Sequence, residues 1–99
     1  MNRVLQFEFD PLIEIADAEA TLHVAIVAVE GLLGEARIRT DLTYHADPVH
    51  RFIQIDGSGE VGDAVIRALV SLLTREFGAG SFAVRRVAAD EAQTNEVAG

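Results

Sequence analysis

Two histidines and an aspartate lie close together in this chain, as His45-x-Asp47-x-x-His50. Imidazole nitrogens and a carboxylate could ligate zinc or another divalent ion, and a histidine beside a carboxylate could move protons near neutral pH. The spacing names three groups and dictates no further ligand, and it identifies no nucleophile or oxyanion hole. Asp47-Pro48 is also ordinary turn chemistry. The string therefore reads first as a polar turn, with a metal, catalytic or ligand-binding site at His45, Asp47 and His50 as the alternative.

A second string, Gly57-Ser58-Gly59-Glu60-Val61-Gly62, is a literal G-x-G-x-x-G between a strand-like and a helix-like segment. In dinucleotide folds such glycines let a pyrophosphate approach a helix N-terminus. Here Asp56, Glu60 and Asp63 surround the place where phosphate would sit, and carboxylates oppose an anion. Gly57, Gly59 and Gly62 are thus read as a strand-to-helix turn, with anion or nucleotide binding as the alternative. His23 follows Glu19 by one helical turn and reads as a solvated pair. No cofactor is expected.

Composition narrows the classes. The chain has 99 residues with 49% apolar side chains, enough for one core without staples. Cysteine is absent, which excludes disulfides and thiolate metal sites. No apolar run reaches the ~18 residues of a membrane span, and the N-terminus carries no signal-peptide pattern. A cytoplasmic protein without membrane contact is expected. Net charge is −8, from sixteen acids and eight bases, all arginine. Such a domain repels phosphate backbones, so nucleic acid is a poor partner. From Glu8 to Glu35 there are seven acids and no Arg or Lys.

Val4–Phe9 alternates as a half-buried strand, broken by Asp10-Pro11. Asp17–Leu33 reads as a helix with Leu22, Ile26, Val29 and Leu33 on its core stripe and Pro11–Ala16 as a lead-in. The alternation of Ala36–Tyr44 predicts a strand with Arg37 and Arg39 on its polar face. The turn His45–Pro48 and a return strand Val49–Ile55 complete a hairpin. A helix from about Glu60 to Phe77 ends at Gly78-Ala79-Gly80, and Ser81–Val87 is a final strand.

The order β-α-β-β-α-β predicts an α+β, ferredoxin-like sandwich: a four-stranded antiparallel sheet with two helices on one face. Residues 1–88 form the single domain and 89–99 a flexible acidic tail. The uncovered sheet face would display Gln6, Glu8, Arg37, Arg39, Thr43, His50, Phe52, Gln54 and Arg85. Helix one carries Val24 and Val27 beyond its core row, and surplus apolar surface points to association. The expected role is a non-enzymatic interaction or regulatory module. It would self-associate, a dimer first, or dock on a partner protein, with Arg37, Arg39, Phe52 and Arg85 as anchors.

Overall fold

The computed structural model describes residues 4–57 and 59–87. It is an α+β arrangement: four strands in one open antiparallel sheet, with three helices. The elements are β1 (Val4–Phe9), α1 (Ile15–Leu33), α2 (Glu35–Asp41), β2 (Leu42–Asp47), β3 (Phe52–Gly57), α3 (Gly59–Phe77) and β4 (Phe82–Val87), with a 3-10 turn over Ala79–Ser81. The sheet order is β2-β3-β1-β4, and each neighbouring pair is antiparallel.

Strand alternation decides which side of the sheet is covered. Phe7 faces Ile53 and Leu5 faces Ile55, while β2 sets Ala46 beside Ile53 and Tyr44 beside Ile55. These residues share one face, and all three helices pack their apolar residues into the core built on it. That core takes Ala18, Leu22, Ala25 and Val29 from α1, Ile38 from α2, and Val61, Val65, Leu69 and Leu73 from α3. The opposite face displays Gln6, Glu8, Thr43, His45, Phe52, Gln54 and Arg85 by register.

The largest departure from expectation is α2. Residues 36–41 are helical rather than the first part of a strand, so three helices replace the expected two. Glu35-Ala36-Arg37-Ile38-Arg39 alternates, but it holds a single buried residue, Ile38. One buried side chain does not distinguish a period of two from a period of 3.6. Glu, Ala and Arg are strong helix formers, and the helix adds a Glu35–Arg39 ion pair at 3.5 Å. Gly34, at φ 96°, makes the break from α1. Everything downstream shifts: β2 begins at Leu42, the turn falls on Pro48–Arg51, and β3 begins at Phe52. Arg37 and Arg39 therefore leave the sheet face for α2, and Val49, His50 and Arg51 move from strand to turn. His45 moves from the turn onto β2.

The first helix starts at Ile15, two residues before Asp17. Its entry is shaped by Asp10, whose Oδ1 accepts the Leu12 N–H at 3.0 Å. Arg51, at φ 63°, ties the β2–β3 turn to this entry. Its guanidinium donates to the carbonyls of Asp10 and Ile13, and its own carbonyl accepts the Phe9 N–H at 3.1 Å. The tail expected over 89–99 lies outside the described residues.

Candidate functional site

At the β2–β3 turn, Asp47 Oδ1 accepts the N–H groups of Val49 and His50, both at 3.0 Å, and Oδ2 receives His50 Nδ1 at 2.8 Å. The His50 backbone N–H, then its imidazole, hold the Asp47 carboxyl below the usual carboxylate range. His45 does not join this pair. Its ring lies tilted beside Phe52 with centres 6.4 Å apart, while His50 stacks against the same phenyl ring at 6.3 Å. Among the described residues, no group of three His, Asp or Glu is placed to hold a metal ion. The geometry makes Asp47 the organiser of a tight turn.

At the glycine string the chain crosses itself. A Cβ on Gly62 would lie 2.4 Å from the Gly57 carbonyl carbon and 2.5 Å from its oxygen, and one on Gly57 would lie 2.7 Å from Gly62 Cα. Gly59 has φ 59°. Two glycines thus serve the close approach of β3 to the first turn of α3, and the third serves the turn itself. Glu60, in that first turn, receives Arg37 at 3.1 Å.

The sheet face that no helix covers among the described residues, the helix-free face, is closed by its own polar groups. Gln54 Nε2 donates to Gln6 Oε1 at 2.8 Å, Gln6 Nε2 donates to Glu8 Oε2 at 2.6 Å, and Arg85 Nε donates to the same oxygen at 2.8 Å. Gln6 and Gln54 are buried. The Arg85 hydrogen bond, then that of Gln6, hold Glu8 below its ordinary pKa. Phe52 and Arg85 share this face, and Phe52 and Gln6 both neighbour Glu8. Arg37 and Arg39 lie elsewhere, against Glu60 and Glu35, so the four arginine and phenylalanine anchors do not form one patch.

The outer side of α1 leaves several apolar side chains uncovered. Ala18, Leu22, Ala25 and Val29 are buried inward. With 3.6 residues per turn, Ala16, Ala20, His23, Val24, Val27 and Gly31 line the opposite crest, and all are exposed. Val24 is 57% and Val27 64% accessible, and Leu32 at the helix end is 82%. A helix that is apolar on nearly every side is normally covered on every side. By contrast α3 is amphipathic, with Arg67, Ser71, Thr74 and Arg75 exposed opposite its core row.

Charged groups flank this crest. On the β2 side, Tyr44 donates its phenol proton to Glu19 Oε2 at 3.0 Å, and His23 Nε2 lies 2.6 Å from the phenol oxygen. Since that proton is given to Glu19, the His23 Nε2–H is the donor to Tyr44. Burial, then Glu19, push the Tyr44 pKa up. On the α3 side a groove of about 210 Å³ is lined by Asp17, Ala20, Thr21, Val24, Glu76 and Phe77. Thr21 Oγ1 lies within hydrogen-bond distance of two acceptors for its single proton, the Asp17 carbonyl at 3.1 Å and Glu76 Oε1 at 3.3 Å. The sequence reading marked Val24 and Val27 as surplus but missed the Glu19–Tyr44–His23 chain, because its members come from two elements.

Compared with family models, curated proteins and solved structures, the chain matches none. Among the described residues, no helix is long and apolar enough to cross a membrane.

Proposed function

We propose that this chain is a non-enzymatic interaction module that contacts another protein, a second copy or a larger partner, through the outer face of α1. The observation that carries the reading is the exposure of Val24 and Val27, 57% and 64%, on a crest with no carboxylate, Arg or Lys. Burying a valine side chain contributes about 1.5 kcal/mol or more, and roughly half of that is unrealised at each position. The helix-free sheet face supports the reading less well, because its glutamines and Glu8 are already bonded within the sheet. The architecture is read as a ferredoxin-like sandwich with one added helix. In support, β1 runs centrally between β3 and β4, and all helices share the core on one face.

The test is a Val24→Glu/Val27→Glu double variant. Both side chains point to solvent, so circular dichroism and thermal midpoint should stay close to wild type. Self-association in sedimentation velocity, or co-purification of a partner, should be lost in the double variant and kept in Phe52→Ala and Arg85→Ala. The opposite pattern would move the contact to the sheet face.

A further inference from the structure

We infer that the partner received by α1 is a basic amphipathic helix rather than a second copy of this chain. The inference rests on the docking role of the α1 crest and specifies what fits it. The crest from Ala16 to Gly31 is about 22 Å long at ~1.5 Å per residue, the length of a helix of about four turns.

The rims of that crest select the partner. Glu19 and Glu30 occupy the side facing β2, and Asp17 with Glu76 the side facing α3. Between Ile15 and Leu33 there is no Lys or Arg. The nearest arginines in sequence, Arg37 and Arg39, are engaged by Glu60 and Glu35. A second α1 laid on the first, parallel or antiparallel, sets carboxylates against carboxylates along both rims, between chains of net charge −8 each. Like charges across an interface act against the complex. A helix with an apolar stripe and Lys or Arg beside it meets the same surface with every rim charge answered.

The groove between α1 and α3 adds a socket for one such side chain. Ala20, Val24 and Phe77 offer an apolar wall and Asp17 and Glu76 carry carboxylates within about 210 Å³. A lysine or arginine places its methylene stem on the wall and its charge at the carboxylates. An anionic membrane surface does not fit, because helices that lie on membranes carry Lys and Arg beside the apolar face.

The test uses the full chain and three labelled synthetic peptides of about five helical turns (~18 residues). One has Leu at i, i+3, i+4 and i+7 with Lys and Arg on the rims. The second has the same composition with the apolar residues dispersed, and the third replaces Lys and Arg by Glu. Fluorescence anisotropy should show the first binding at least about tenfold tighter than either control, a 1.4 kcal/mol difference, with affinity falling as salt is raised. Val24→Ser/Val27→Ser should remove this preference, and Glu30→Gln/Glu76→Gln should weaken it and flatten the salt dependence. Equal binding of the dispersed or the acidic peptide overturns the inference. So does a wild-type dimer that Val24→Ser/Val27→Ser dissociates while no peptide binds, an outcome that leaves α1 as the contact. If Val24→Ser/Val27→Ser alters neither peptide binding nor mass, the docking role of α1 falls as well.

Discussion

Glu8, Asp47 and Tyr44 give the fold a stability that depends on pH at both ends. Glu8 is held low by the Arg85 and Gln6 hydrogen bonds, and Asp47 by the His50 N–H and imidazole. A carboxyl whose folded pKa lies below its unfolded value stabilises the fold above the unfolded pKa, and that contribution fades as pH falls through the folded pKa. Tyr44 runs the other way. Its pKa is raised by burial and by Glu19, so its contribution is complete below the unfolded value near 10 and is lost as pH rises through the folded value. Urea unfolding across pH should show decline on both the acid and the alkaline side. Tyr44→Phe should flatten the alkaline limb and cost about 1 kcal/mol at neutral pH, whereas Glu8→Gln should flatten part of the acid limb. At this scale the sequence was partly legible. Glu8 and Arg85 could be set on one face from alternation alone, but Tyr44 meets Glu19 and His23 only because α1 lies across β2.

The glycine string makes the sharpest prediction among the elements. Gly62→Ala forces a methyl into the Gly57 carbonyl, where overpacking against backbone costs about 3 kcal/mol. Gly59→Ala meets open space but keeps φ 59°, at a cost of about 1 kcal/mol. Denaturant midpoints should rank wild type above Gly59→Ala and Gly59→Ala above Gly62→Ala; equal costs would mean that β3 and α3 do not touch here. The pattern of these glycines was visible in the sequence, but the contact that requires two of them was not. The segment from Glu35 to Asp41 was misread for a related reason. Its periodicity is carried by Ile38 alone, and what favours the helix is local: Gly34 ending α1, the helix propensity of Glu35, Ala36, Arg37 and Arg39, and the Glu35–Arg39 pair.

For the molecule as a whole, charge is the dominant long-range term. Sixteen acids against eight arginines leave −8, and such an excess works against the compact state through self-repulsion. Moderate NaCl should therefore raise the thermal midpoint seen by calorimetry. A fall would show that pairs such as Arg85–Glu8 and Arg37–Glu60 outweigh the repulsion. Four strands, their antiparallel sense and two long helices followed from Leu5, Phe7 and Phe9 alternating in β1 and from the spaced apolar rows of α1 and α3. The surface proposed for docking was only half legible, since Val24 and Val27 stand out as surplus while the acidic groove needs Glu76 brought beside Asp17. The amides of Gln54 and Gln6 and the groups of Glu8 and Arg85 link β3, β1 and β4 in a single polar row. A slip of two residues between β1 and β3 keeps the greasy side greasy, so the core alone would tolerate it. It would also place Gln6 against Phe52 or Asp56 instead of Gln54, leaving an amide without its mate. The row thus works as a check on misaligned pairing that oil-like packing by itself could not provide.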